Sequence, residues 1–252
     1  MTEVDGSLPQ AVLFALDDVL LPRQTSARWQ WAWRPQGPLL PDRHLRPAIK
    51  RAVQTWDRTR WEGLGAEAGS PAGIDYRELL RGVLGSIAGH PLPATEVEAV
   101  VDRFPRFPDE AGPFPDVVPF LQWLGQHKVR FGVLADRPGE QLTEAIRRAG
   151  ILPLLPNVFG GGASDPKPPL PESFRAACRG LEARPAETLY VAGLFWSEYR
   201  SARRAGLDAV LMDRSGWWER VQAPRIRSLS ELLTRFSPPV SPRPVLEGSA
   251  PA

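Results

Sequence analysis

The sequence predicts an α/β fold in which a doubly wound, parallel, Rossmannoid sheet carries a small helical insertion. Three observations predict it. Apolar runs at Gln10–Leu20, Val129–Ala135, Thr188–Gly193 and Ala209–Met212 lack period-two alternation, as strands buried on both faces do. Stretches of helical periodicity lie between them, and that alternation calls for a parallel sheet with helices on both sides. The alternation is interrupted once, after the first strand, by a long segment of helical pattern broken by Gly and Pro.

The elements follow in order. Gln10–Leu20 is a buried strand ending in the acids Asp17 and Asp18. Residues 23–106 form the helical insertion, with helices expected over Leu45–Trp61 and Asp75–Ile87, which leaves 8–22 and 107–236 to the α/β core. Asp116 is placed to N-cap the amphipathic run Val117, Phe120, Leu121, Leu124. A helix over Glu140–Ala149 is closed by Gly150, and Asn157–Phe159 is a short strand. The triplet Gly160–Gly162 lacks the Lys and Ser or Thr of a phosphate loop, so it is expected to be a flexible connection. Pro171 starts a helix over Glu172–Leu181, and Gly206 stops one over Ser197–Ala205. The stretch 237–252 has five prolines and almost no apolar periodicity, which predicts a disordered tail.

Composition narrows the function. With 252 residues, 42% of them hydrophobic, the chain can bury one full core and a smaller subdomain. Thirty-one Lys and Arg against 29 Asp and Glu give a formal charge of +2, so neither nucleic acid nor a membrane surface is expected as a partner. The single cysteine, Cys178, excludes an internal disulfide and a cysteine zinc site, and its helical setting predicts a small buried hydrophobe. Asp17 and Asp18 break the first apolar run, and the first ten residues lack a basic stretch, so a cytoplasmic protein is expected.

Four short motifs then occur in order. Ala15-Leu16-Asp17-Asp18-Val19 ends the first strand, and Ala135-Asp136 ends the second. Lys167 stands between prolines ahead of a helix, and Ala192-Gly193 leads through Glu198 into a helix that ends in Ala205-Gly206. In this arrangement the chain resembles the haloacid dehalogenase (HAD) superfamily of phosphatases and related hydrolases, in the branch with a helical cap inserted after the first strand. The resemblance covers Ala11 to Phe236 and implies a HAD-like core with a small cap domain.

Carried over residue by residue, the resemblance puts Ala15 at the nucleophilic aspartate and Asp17 at the general acid and base. It puts Ala135 at the phosphate-holding hydroxyl, Gly193 at a magnesium-binding aspartate and Glu198 at that residue's partner acid. Lys167 matches the family lysine. Asp17 and Lys167 are thus the catalytic remnants, while Ala15, Ala135 and Gly193 are degenerate. Asp18, Asp136 and Glu198 are candidates to line the remaining pocket.

Covalent phosphoryl transfer needs a carboxylate in line with phosphorus and a cation to neutralise the transferred group. Ala15 removes the first, and Ala15 with Gly193 removes two hard oxygen donors, so no metal site and no cofactor are expected. Asp17 with Lys167 makes a roughly neutral pair that needs no cation, and Asp136 disfavours an anion by about 1 kcal/mol or more. These features predict a catalytically impaired, pseudo-phosphatase-like protein with a binding or regulatory role. One alternative is an active phosphomonoester hydrolase in which Asp17, Asp136 or Glu198 supplies the missing acid, with Mg2+ as cofactor. Another is a scaffold that binds a protein or nucleic acid through Trp29, Trp31 and Trp33 with Arg28 and Arg34. On a strand those tryptophans would share one face; on a helix they, with Trp56 and Trp61, would fill the core of the insertion. The glutamate at 198 either caps the helix that follows it or reaches the pocket, and Trp217-Trp218 covers the sheet edge or seals the insertion against the core.

Overall fold

The computed structural model describes residues 8–22, 26–33, 41–63, 81–86, 93–103, 112–161 and 170–236. Six strands form one sheet, ordered β3-β2-β1-β4-β5-β6, with every neighbouring pair parallel. They are β1 (Ala11–Phe14), β2 (Arg130–Pro138), β3 (Val158–Gly161), β4 (Thr188–Ala192), β5 (Asp208–Met212) and β6 (Arg225–Ile226). The central strand β1 is sealed on both faces, with every residue at 0% exposure, which is why its sequence is a continuous apolar run. Phe14 lies level with Val133 of β2 and Val191 of β4, so the C-terminal ends of β1, β2 and β4 lie side by side.

Among the described residues, β1 is followed by α1 (Ser26–Trp33), α2 (Asp42–Gly63), a helical stretch over 81–86 and α3 (Ala94–Arg103). The core helices are α4 (Val117–Gln126), α5 (Gly139–Arg148), α6 (Pro171–Gly180), α7 (Arg200–Ala205) and α8 (Ser230–Phe236). Phe120 of α4 meets Phe14 edge to face at 6.0 Å, and Phe174 of α6 meets Tyr190 of β4 at 4.8 Å. Cys178 is buried on α6, as a small hydrophobe would be.

Several local expectations need correction. The Asp116 side chain makes no capping hydrogen bond to α4; its carboxylate takes Arg214 in a two-pronged pair at 2.9 and 2.9 Å, and also the Ser228 hydroxyl and the Leu229 N–H. A charged, bidentate partner outcompetes the local cap. Gly160 and Gly161 belong to β3 and do not form a loose connection, because the β2–β3 ladder extends over them. The helix expected over Ser197–Ala205 begins as a π-turn over Phe195–Tyr199 before becoming α7. Trp29, Trp31 and Trp33 are helical on α1, not extended, and Trp29 is fully buried, as the core-filling reading requires. Arg28 is buried as well, which removes it from any binding face, and Arg34 lies outside the described residues. The strand β6 and the helix α8 carry too little apolar pattern to have been read from the sequence. Most of the Asp75–Ile87 stretch, Lys167 and the tail 237–252 lie outside the described residues. Among those described, no helix is long and apolar enough to cross a membrane.

Candidate functional site

Ala15 follows β1 directly, donating its N–H to the Val191 carbonyl at 2.9 Å, and is 1% exposed. Asp17 bridges in parallel fashion to Leu21, and Asp18 adopts φ +59°, donating its N–H to the Leu21 carbonyl at 2.7 Å. This tight turn leaves both acids half-buried at the C-terminal edge of the sheet. Ala135 stands on β2 beside them, and Gly193 comes immediately after β4. Register therefore gathers Ala15, Asp17, Ala135 and Gly193 at one edge, where doubly wound folds bind ligands. The backbone of Asp136 continues β2.

At Gly193 the local geometry excludes a side chain. An ideal Cβ there would lie 2.7 Å from the Asp17 carbonyl oxygen and 3.4 Å from Val19 Cγ2. The two loops have closed on each other across the space that a carboxylate would need. Glu198 completes the closure: its Oε2 accepts the N–H groups of Gly193 at 2.8 Å and Leu194 at 3.0 Å. It acts as a cap on the turn that leads into α7, the first of the two roles weighed for it. Among the described residues no group of three His, Cys, Asp or Glu gathers as metal ligands would. At this edge Ala15 and Gly193 bring no side-chain oxygen and Glu198 Oε2 is engaged by backbone N–H groups, a poor match to the carboxylate-rich shell that octahedral magnesium takes.

Sequence reasoning missed a second set of polar residues. Asp57 of α2 is 0% exposed and reaches across to the π-turn, where its two oxygens accept Trp196 N–H at 2.7 Å, Ser197 N–H at 2.8 Å and the Ser197 hydroxyl at 2.6 Å. Burial pushes the Asp57 carboxyl above its ordinary range, against the lowering effect of these hydrogen bonds and of Arg60. The signal lay in spacing: Leu45, Ile49, Val53, Asp57 and Trp61 recur every four residues, so an acid sits on the apolar stripe of α2. Burial would likewise raise the Asp116 carboxyl, but Arg214, with the Leu229 N–H and the Ser228 hydroxyl, holds it below its ordinary range. Lys50 donates to the Gly216 carbonyl and Gln54 to the Trp217 carbonyl, so Trp217-Trp218 seals α2 against the core.

A cavity of about 260 Å³ opens along this seam. Asp18, Gly193, Trp217 and Trp218 line it from below, and Ile49 and Val53 of α2 line it from above. Ala15, Asp17, Ala135 and Glu198 do not line it, so the open space lies on the β4–β5 side of the motif positions.

This sheet order, with a helical segment after the first strand and motif positions on adjacent strand ends, defines a doubly wound Rossmannoid fold with an inserted helical segment. The haloacid dehalogenase-like hydrolase family model matches residues 9–206, and the chain belongs to that family. It is similar to the HAD-hydrolase YfnB from Bacillus subtilis, whose structure was solved bound to magnesium, at 18% identity and a TM-score of 0.68, covering 91% of this chain and 99% of that one. The L-2-haloacid dehalogenase from Xanthobacter autotrophicus matches at 18% identity and a TM-score of 0.60, covering 89% and 97% of the two chains. Among curated proteins, a glyceraldehyde 3-phosphate phosphatase from Methanopyrus kandleri is 29% identical over 102 residues, 40% of this chain. The match spans 44% of that relative's length.

Proposed function

We propose that this HAD-family chain is catalytically impaired in phosphoryl transfer and retained for binding or regulation. The observation that carries this reading is the contact at Gly193, where the Asp17 carbonyl stands 2.7 Å from the place of a Cβ. A lost aspartate alone would leave a gap; here the backbone has taken the gap, and Glu198 is committed to the same loop. With Ala15 at the nucleophile position, no carboxylate remains to attack phosphorus. In this reading Asp17 and Lys167 are the catalytic remnants, and Asp18, Asp136 and Glu198 are the candidates to line the remaining pocket. Residues 8–22 and 107–236 make the core and 23–106 the cap.

The test is release of inorganic phosphate, with magnesium, from a panel of phosphomonoesters that includes glyceraldehyde 3-phosphate. Wild type is expected to match Asp17→Asn at background. Robust turnover that Asp17→Asn abolishes would establish the rival reading, an active hydrolase.

A further inference from the structure

Where α2 meets α7, arginines and tryptophans from the two sides alternate in one stack. Arg58 lies over Trp196 at 5.7 Å, Arg200 over Trp196 at 4.9 Å and over Trp61 at 4.8 Å, and Arg204 over Trp61 at 4.0 Å. Arg58 and Trp61 belong to α2; Trp196, Arg200 and Arg204 come from the π-turn and α7. The stack is therefore complete only while α2 is seated on the core. Asp57, buried beneath it, holds that seat.

The acids nearby are already taken by other arginines. Glu62 pairs with Arg58 at 2.8 Å, Glu172 with Arg175 at 3.5 Å, and Asp208 with Arg203 at 2.5 Å. Among the described residues this leaves Arg200 and Arg204 without a carboxylate, and α7 itself carries three arginines and no acid. The indoles hold both guanidinium planes, so their forked donors are oriented before any partner arrives.

We propose that Arg200 and Arg204 form a docking surface for an acidic protein segment whose carboxylates are spaced one helical turn apart. The arginines stand four residues apart on one helix, which matches two carboxylates at the same spacing. In-plane guanidinium N–H groups take carboxylates bidentately. Single-stranded nucleic acid fits less well, because it needs open aromatic faces for base stacking. Here Trp61 is buried and Trp196 is half-buried with two guanidiniums over its ring. Since the surface draws on both sides of the seam, its partner senses whether α2 is seated. The proposal is independent of whether phosphoryl transfer is lost.

The experiment is fluorescence anisotropy on the full chain at low salt. Its probes are a labelled alanine-based peptide with glutamates four residues apart, the same peptide with glutamines, and an oligouridine of matched length. The glutamate peptide is expected to bind in a salt-sensitive way and the glutamine peptide not to bind. Arg200→Ala/Arg204→Ala is expected to weaken binding at least about tenfold. Arg147→Ala/Arg148→Ala, which removes equal charge from α5, is expected to change it less than twofold. Arg200→Lys/Arg204→Lys, which keeps the charge and the apolar stems, is expected to weaken binding several-fold, and it keeps the test decisive should the alanine pair unfold. No binding of the glutamate peptide, equal binding of the glutamine peptide, tighter binding of oligouridine, or equal loss in the α5 variant would each overturn the proposal.

Discussion

At Gly193 the lack of a side chain lets the turn after β4 approach the turn after β1 closely. A methyl group added there would lie 2.7 Å from the Asp17 carbonyl oxygen, so the backbone of one of the two turns must shift to admit it. Gly193→Ala is expected to cost about 1–3 kcal/mol in urea denaturation, in the range of overpacked sites; an unchanged midpoint would show that the loops are free to part. Asp116 and Asp57 make opposite predictions with pH. Asp116 is held below its ordinary value of 3.8, so its stabilisation is present above that value and is lost as pH falls through the folded value. Asp57 is raised above 3.8, so its contribution is full below that value and fades as pH rises through the folded value. The stability of wild type relative to Asp57→Asn should therefore increase on acidification, whereas relative to Asp116→Asn it should decrease. At neutral pH, Asp116→Ala leaves Arg214 largely buried without its partner and is expected to cost about 3–5 kcal/mol. Equilibrium unfolding over a pH series checks all three. Ala15, Ala135 and Gly193 drew notice in the sequence because the motif of the resembled family has other residues at those places, and the structure puts all three at one edge of the sheet. The partners of Asp57 and Asp116 were not legible, because they lie 139 and 98 residues away in the chain.

At the scale of elements, α2 determines how the inserted helices meet the core. Its apolar stripe faces inward, and Lys50, Gln54 and Asp57 tie it to the turn after β5 and to the π-turn after β4. Asp57→Ala removes the acceptor for two backbone N–H groups and the Ser197 hydroxyl. Hydrogen exchange at Trp196 and Ser197 is expected to accelerate at least about tenfold in that variant, local opening being governed by such contacts. Exchange there that matches wild type would mean the seam is held elsewhere. The strands were readable because burial on both faces writes a continuous apolar run. The two-residue β6 was not, since pairing with β5 at Leu211 and Met212, a tertiary effect, defines it. The π-turn was also hidden. It arises where Glu198 takes the N–H groups of residues 193 and 194 and Asp57 those of residues 196 and 197, a competition that helical propensity does not record.

For the whole molecule, a parallel sheet with helices on both faces could be argued from the chain, whereas the order of its strands came only with the structure, and family membership follows from the match over 9–206. The proposed loss of function rests on a smaller fact, the side chains at 15 and 193, Ala and Gly, which bring no carboxylate where strands β1 and β4 end. Magnesium binding responds to that fact directly, without presuming a substrate. Isothermal titration of magnesium into the full chain, with and without inorganic phosphate, is expected to show no saturable heat. Stoichiometric binding that Asp17→Asn removes would contradict the account.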